Sequence, residues 1–360
     1  MSTKEKILNE LKSLPAGEFV SGEELAASCS VSRAAIWKAI RSLENEGYKI
    51  EAVTNRGYRI MECPDKLDSE IISSYLAEND IFLKHIFIFE EIDSTNTEAK
   101  RRACEAGAFR NSEGELTESG QNLHPALFVS ECQTGGKGRL GRTFVSPKDS
   151  GVYFSLLYSP KGGIKNPALY TAAASVAVSK AVQKLYGEKC GIKWVNDVFL
   201  AEKKISGILV EGIANFETGS IDAAIVGIGI NIRKNPELTG EITKIAGSIE
   251  EAKLSKNEEF PVISKNILVA EVVKNLVKFY EAFESGEESL KKEMIEEYRQ
   301  RSILTGRAVT VNPVAGGNGR VYKAKVLGIS EEIKLIVETE NGEKIELNSG
   351  EVSLHSYDFV

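Results

Sequence analysis

Glu131-Cys132-Gln133-Thr134-Gly135-Gly136-Lys137-Gly138-Arg139-Leu140-Gly141-Arg142 follows directly on the apolar run Ala126-Leu127-Phe128-Val129. Three cationic side chains, Lys137, Arg139 and Arg142, stand among four glycines. Glycine lets the backbone turn and approach a ligand closely, and the cations supply charge-assisted hydrogen bonds, so the stretch suits an anion. G-x-G-x-x-G is present at Gly136, Gly138 and Gly141, but a dinucleotide fingerprint must open a helix after a strand. Here Thr143-Phe144-Val145-Ser146-Pro147 reads as extended, and no Gly-Lys-Ser/Thr is present for a Walker loop.

Three further blocks carry polar chemistry. Asp93-Ser94-Thr95-Asn96 follows the apolar run Ile86-Phe87-Ile88-Phe89. Lys193-Trp194-Val195-Asn196-Asp197 precedes Lys203-Lys204-Ile205-Ser206-Gly207-Ile208-Leu209-Val210-Glu211, and Gly227-Ile228-Gly229-Ile230-Asn231-Ile232 comes last. In this order and with these gaps, residues 80–235 resemble the catalytic domain of the biotin–protein ligases. Two departures stand out: Val195 replaces the family's proline and Lys137 replaces its arginine. Loss of proline frees φ ahead of Asn196 and predicts a looser strand end.

The resemblance implies an ATP-dependent ligase that makes biotinyl-adenylate and passes biotin to a lysine of a carboxylase's biotin-carrier domain. Biotin's carboxylate is ionised at neutral pH, so attack on the α-phosphate asks for positioning and charge stabilisation rather than a general base. By resemblance, Lys137, Gly138 and Arg139 close over biotin and the adenylate phosphate, while Ser94, Thr95, Asn96 and Gln133 hydrogen-bond biotin. Lys204 contacts biotin and the reacting phosphate, and Asn231 lies near the adenine. Asn196 and Asp197 sit where the family polarises the second step. Lys137, Arg139, Asn196, Lys204 and Asn231 thus form the ATP set, and Lys204, Arg139 and Asp197 the catalytic one. The acceptor amine must be neutral to attack; Asp197 can take its proton or serve only as an ion-pair partner of Lys204 or Lys193. Magnesium is expected with the triphosphate, held chiefly by phosphate oxygens and water, with no metal site of the protein's own.

A chain of 360 residues, 42% hydrophobic, predicts two or three domains with real cores. No apolar stretch is long enough to span a membrane, and Met1-Ser2-Thr3-Lys4-Glu5 lacks a signal-peptide core. Five dispersed cysteines (Cys29, Cys63, Cys104, Cys132, Cys190) read as reduced thiols of a cytoplasmic protein. Three scattered histidines, His85, His124 and His355, argue against a histidine-built metal site or triad. The net charge of −7 argues against indiscriminate nucleic-acid binding but allows a local basic face.

The first sixty residues supply that face. Thr3 to Leu14 has helical periodicity, Ser21-Gly22-Glu23-Glu24 is a capping box for a helix from Glu23 to Cys29, and Ser32 caps a second running to about Glu46. Residues 48–53 and 58–60 flank Thr54-Asn55-Arg56-Gly57 as a hairpin, completing a winged helix-turn-helix. Arg33, Ala34, Lys38 and Arg41 on the second helix, and Arg56 on the wing with Lys49 and Arg59, are the candidates for DNA contact. Trp37 and Ile40 are expected in the small core.

The whole reads as an α+β multidomain chain. Residues 1–63 form the winged helix-turn-helix, 66–302 an α/β mixed-sheet domain of the biotin/lipoate ligase type, and 303–360 a small SH3-like β-barrel. Met61-Glu62-Cys63-Pro64-Asp65 is the first linker, and Cys104 to His124, long and polar, reads as an inserted mobile loop. Family members with this N-terminal domain also repress transcription. The resemblance therefore implies a homodimer, favoured by biotinyl-adenylate, on palindromic operator DNA. A ligand-sensing repressor without transferase activity and a lipoate or octanoate ligase of the related fold are the alternatives. The tryptophan of the Lys193 block and the winged helix disfavour the latter.

Overall fold

The computed structural model describes residues 3–354 apart from 16, 46–47, 55, 63–64, 112, 216–218, 313–320 and 349–350. Met1, Ser2, Glu46, Asn55, Cys63, Pro64 and His355, all named above, lie outside the described residues. The chain divides into two compact units, Met1–Lys66 and Leu67–Val360.

In the first unit, helices α1 (Thr3–Ser13), α2 (Gly22–Cys29) and α3 (Arg33–Asn45) precede strands β1 (Lys49–Val53) and β2 (Gly57–Glu62). The capping box forms as predicted: Glu24 N–H donates to Ser21 Oγ (3.1 Å) and Ser21 N–H to Glu24 Oε2 (2.9 Å). Ser32 Oγ likewise accepts from Ala35 N–H at 3.3 Å. Ser30, at φ 56°, turns the chain between α2 and α3. Ile7, Leu11, Leu25, Ile36, Ile40 and Leu43 form the core. Trp37 does not join them. It is 54% exposed, because at 100° per residue Ile36, Ile40 and Leu43 already occupy the inward stripe of α3. The hairpin pairs Val53 with Gly57, and Val20 exchanges both backbone hydrogen bonds with Tyr58, at 2.8 and 3.0 Å.

The second unit opens with α4 (Ser69–Ala77), capped by Asp68, whose Oδ1 accepts from Glu70 N–H and Ile71 N–H. Strand β3 (His85–Phe89), α5 (Thr95–Ala106), α6 (Glu118–Leu123), β4 (Ala126–Ser130), β5 (Gly151–Tyr158) and α7 (Pro167–Tyr186) follow. Then come β6 (Gly191–Lys193), β7 (Asp197–Leu200), β8 (Lys203–Ala214) and β9 (Ile221–Asn231). One seven-stranded mixed sheet results, in the order β3-β4-β5-β9-β8-β7-β6; β3 pairs parallel with β4 and the other pairs are antiparallel. Ala201 and Glu202, both at positive φ, make the turn of the β7–β8 hairpin.

Alternation along the strands sorts two cores. Phe154, Leu156, Ile208, Val226, Ile228 and Ile230 face α7 and the later helix α10 (Lys265–Ser285). Leu157 and Ile225 face α5. Two short helices, α8 (Ile242–Ile245) and α9 (Ile249–Ser255), precede α10, and α11 (Glu288–Gln300) follows it. Strands β10 (Ala308–Asn312), β11 (Tyr322–Ile329), β12 (Leu335–Thr339), β13 (Lys344–Leu347) and β14 (Glu351–Leu354) make a small antiparallel sheet, β13-β12-β11-β10-β14. Its outer strands β13 and β14 are not paired with each other among the described residues, so the sheet is not a closed barrel there. Val309, Val326, Leu335 and Val337 belong to the same core as α7 and α10.

The segment from Cys104 to His124 differs from the mobile loop predicted. Phe109 is 1% exposed and packs with Ala99, Ala103, Phe128 and Leu157. Arg110 turns inward and donates to Gly114 O (2.7 Å) and Ser159 O (2.8 Å). Thr117 Oγ1 donates to Ala108 O (2.6 Å) and accepts from Gly120 N–H, capping α6. The polar composition misleads because these side chains satisfy backbone groups within the insertion and at the sheet end.

At the insertion's end, His124 Nδ1 accepts from Ser159 N–H at 2.9 Å. Burial, with the Arg110 guanidinium nearby, pushes this imidazole down from 6.5 to about 4. The unfolded chain then binds one more proton than the folded chain between those two values. This contribution to stability is complete above pH 6.5 and is lost as pH falls through about 4. Urea unfolding at pH 7 and 4.5 should show His124→Asn losing roughly 2–3 kcal/mol less than the parent over that step. Equal losses would mean that His124 does not titrate with folding.

Candidate functional site

The site lies on the α5 side of the sheet and begins with its floor. Gly207 stands opposite Gly229, and Leu209 opposite Gly227. A Cβ on Gly227 would collide with Asn96 Oδ1, and one on Gly229 with the Phe144 ring. Only glycine lets those side chains lie flat on the strands at these two positions.

Asn96 is 4% exposed, and its amide is oriented by everything around it. Nδ2 donates to Glu211 Oε2 (2.8 Å) and to Leu209 O (3.3 Å), while Ser155 Oγ lies 2.6 Å from Oδ1. The same Ser155 hydroxyl lies 2.7 Å from Thr95 Oγ1. Thr95 in turn donates to Gln133 Oε1 from its backbone N–H (2.8 Å) and its hydroxyl (3.2 Å). Gln133 Nε2 donates to Ser146 Oγ (3.0 Å), which fixes the remaining end of that amide. Ser94 occupies the N-cap position of α5 without making a side-chain cap, and it is 2% exposed. A row of neutral donors and acceptors is thereby held in one geometry.

The basic stretch is a small hairpin rather than a slack loop. Phe144 N–H donates to Gly136 O (2.9 Å) and Gly138 N–H to Arg142 O (2.7 Å), with Arg139–Gly141 forming a 3-10 turn at the tip. Leu140 takes φ 56° there and is 57% exposed. Arg139 Nη1 donates to Asn196 Oδ1 at 3.0 Å, so the hairpin tip reaches the β6–β7 turn.

That turn is well anchored, against the looser end predicted from Val195. Trp194 Nε1–H donates to Ile333 O (2.8 Å) in the C-terminal sheet, and Tyr298 O–H donates to Val195 O (3.1 Å). Asn196 grips β8 twice: its carbonyl accepts from Ile208 N–H (3.0 Å), and Nδ2 donates to Ile208 O (2.9 Å). The Trp194–Val195 peptide is cis. Asp197 and Lys204 form an ion pair at 2.7 Å, each about one quarter exposed. Asp197 Oδ1 has no aligned hydrogen bond, so charge proximity rather than a directional bond holds the pair.

Ser94, Thr95, Asn96, Gln133, Lys137, Gly138, Arg139, Asn196 and Lys204 all line one cavity of about 50 Å³. Asp197 stands behind it on Lys204. Asn231 does not line it: its amide donates to Gly247 O (3.0 Å), whose own N–H donates to Lys204 O (3.0 Å). Among residues the sequence reading did not assign, Phe144 and the glycine floor line the cavity, and Ser155 and Glu211 brace it. The alternation of Gly227 and Gly229 with Ile228 and Ile230 carried a signal for the floor; Ser155 carried none. A larger groove of about 740 Å³ lies elsewhere, but its lysines and glutamates balance and no neutral hydrogen-bonding row meets them. Among the described residues no group of three acidic, histidine or cysteine side chains could hold a metal.

In the first unit, Arg33, Ala34, Lys38 and Arg41 are exposed together along α3, and Arg56 is exposed on the hairpin. Arg41 also pairs with Glu44 (3.1 Å). Arg59 is drawn inward to Glu51 (2.5 Å), and Arg56 and Arg59 both lie over the Phe19 ring, at 4.2 and 4.7 Å.

Comparison with known proteins bears on both units. Residues 106–231 match the biotin/lipoate A/B protein ligase family, residues 3–59 an HTH domain, and residues 304–355 the biotin protein ligase C-terminal domain. The bifunctional ligase/repressor BirA of Bacillus subtilis is 32% identical over 95% of this chain and 96% of its own length. BirA of Escherichia coli is 28% identical over 74% of each chain. Biotin protein ligase from Aquifex aeolicus, solved with biotin and ATP, superposes with a TM-score of 0.57 at 29% identity, covering 76% of this chain and 99% of that one.

Asn96 couples the floor to Glu211, which makes the arrangement testable. Gly227→Ala should lower unfolding free energy by about 1–3 kcal/mol through overpacking. Combined with Glu211→Ala, it should cost at least about 0.5 kcal/mol less than the sum of the single effects, because both act on one amide. Simple additivity in urea titrations would mean that the two residues do not share Asn96.

Proposed function

Because this chain belongs to the biotin protein ligase family, alongside its bifunctional ligase/repressor members, we propose how its residues perform ligation and repression. The protein activates biotin with ATP, transfers it to protein and represses transcription through its N-terminal helix-turn-helix. One observation carries the ligase assignment: nine residues from five separated segments, neutral hydrogen-bonding groups and cations together, converge on one glycine-floored cavity.

In the first step, a biotin carboxylate oxygen bonds to the α-phosphorus of ATP and the bond to the β-phosphate oxygen breaks, releasing pyrophosphate. Ser94, Thr95, Asn96 and Gln133 hold biotin through neutral hydrogen bonds. Lys137, Arg139 and Lys204 stabilise the charge that gathers on the phosphate, where preorganised cations act most strongly. Gly138 lets the hairpin backbone approach. The hairpin carrying Lys137 and Arg139 forms one wall of the cavity, so its movement would widen the space for both substrates. Asn196 holds Arg139 at the phosphate end, and Asn231 contributes to the adenine side through the Gly247 segment. Magnesium would be held mainly by phosphate oxygens and water, since the nearby carboxylates of Asp197 and Glu211 are already engaged by Lys204 and Asn96.

In the second step, a neutral lysine amine of a carboxylase's biotin-carrier domain attacks the acyl carbon, forming the amide and releasing AMP. Asp197, 2.7 Å from Lys204 at the cavity's edge, takes the amine's proton. The functional parts are residues 1–63 for DNA, 66–302 for ligation and 303–360, of SH3-like type, as a brace for the Trp194 turn. Val210 to Ala214 of β8 pair only with β9 among the described residues, leaving a strand edge on which a second copy can add; a homodimer then presents two α3 helices to operator DNA. Cys29, Cys104, Cys132 and Cys190 are free thiols, in keeping with the cytoplasm. Among the described residues no helix is long and apolar enough to cross a membrane.

Incubation with biotin, Mg-ATP and a biotin-carrier domain should add the mass of one biotinyl group to the carrier. Biotin binding without transfer would leave a sensing repressor. Lys204→Ala should cut adenylate formation by at least about 100-fold with the fold retained by circular dichroism; normal turnover would remove Lys204 from the site. Arg33→Ala with Lys38→Ala should weaken DNA binding and flatten its salt dependence by about two counterions while ligation continues. An unchanged salt slope would place the DNA on another surface.

A further inference from the structure

The indole of Trp37 stands where a packed core residue was expected. A single exposed apolar side chain means little on most surfaces. The setting of this one is specific. At 100° per residue, Arg33, Trp37, Arg41, Ala34 and Lys38 follow one another around a single exposed arc of α3, with Trp37 and Arg41 inside it. The buried stripe of Ile36, Ile40 and Leu43 borders that arc beyond Arg33. Arg33 to Leu43 contains no acidic residue, and the Arg41 guanidinium lies 5.4 Å from the centre of the Trp37 ring. Trp37 is also in the second turn of the helix that follows the turn at Ser30, the part of such a helix that reaches base edges.

Cations on an arc of this kind meet phosphates and position the helix, but they read no sequence through those contacts. A planar apolar side chain between them faces the groove floor, where the apolar group on offer is the thymine methyl. We propose that Trp37 is a sequence-reading residue, its indole packing against a thymine methyl in the major groove of duplex DNA. This rests on the reading of α3 as the recognition helix. The charge around the indole favours DNA over a protein partner as the occupant.

The test uses the full chain with biotin and Mg-ATP, and duplexes enriched by the parent protein from a pool with a randomised core. Trp37→Ala should bind the enriched duplex about tenfold more weakly and scrambled duplex equally well, narrowing the specificity ratio. Trp37→Phe should recover part of the loss. The slope of log affinity against log salt should stay at the parent value, since a neutral side chain releases no counterion. The chain holds only two tryptophans, and Trp194 is 6% exposed, so iodide quenching reports on Trp37 and the enriched duplex should suppress it. Parental affinity in Trp37→Ala, or quenching unaffected by DNA, overturns the proposal while leaving repression intact. Equal weakening on enriched and scrambled duplexes overturns it as well, in favour of a backbone-positioning role. Loss of a biotin-dependent dimer in sedimentation, with DNA affinity falling only as a consequence, assigns the indole to a protein contact instead. If the parent enriches no duplex, the repressor reading itself fails and takes this one with it.

Discussion

The register between β8 and β9 is the constraint on which the cavity depends. With Gly207 opposite Gly229 and Leu209 opposite Gly227, three of these four positions on one face are glycine, and the other face carries Ile208, Val210, Ile228 and Ile230 into the main core. A slip of one residue would carry the glycines to the α7 side and branched side chains to the α5 side. The apolar side resists that slip, since each buried isoleucine or valine is worth about 1.5–3 kcal/mol. The same packing that holds the sheet together therefore keeps the floor clear for Asn96 and Phe144. Glu211, two residues beyond Leu209 on the same face, arrives behind Asn96 by the same alternation.

Around this floor, groups far apart in sequence are tied by single buried contacts. Glu131, the first residue of the basic stretch, accepts from Leu67 N–H (2.9 Å) and pairs with Lys265 at the start of α10. Asp68 N–H donates to Asn266 Oδ1 (2.7 Å) on that helix. The first residues of the second unit are thus pinned to the base of the ligand hairpin. On the opposite side, Trp194 and Tyr298 hold the β6–β7 turn from the C-terminal sheet and α11. Buried partners of this kind cost more to break than they contribute net, which makes them good at fixing geometry.

Much of this was legible in the chain. Local rules act within a few residues, so the capping box at Ser21 and the glycine–isoleucine alternation of β9 could be read directly. Nearly all the expected ligand residues converge because their side chains are polar where neighbours are apolar. The failures share one cause: side chains whose partners come from elsewhere. Arg110 looks like loop surface until Ser159 O is brought beside it, and Val195 looks loose until Tyr298 reaches it. Ser155, an ordinary polar residue in an apolar strand, takes on meaning only when α5 is laid across it. Trp37 failed in the other direction, since hydrophobicity alone sent it to a core that Ile36 and Ile40 had already filled.

The order of residues along the chain has a consequence for synthesis. The first unit closes on itself within 66 residues, through neighbours such as Val20 and Tyr58. The cavity needs Ser94 at one extreme and Gly229 at the other, because β9 inserts between β5 and β8. On a ribosome adding roughly 5–20 residues per second, about 165 residues and some ten to thirty seconds separate completion of the two. During that interval a nascent chain carries a finished helix-turn-helix while the cavity of its second unit does not yet exist.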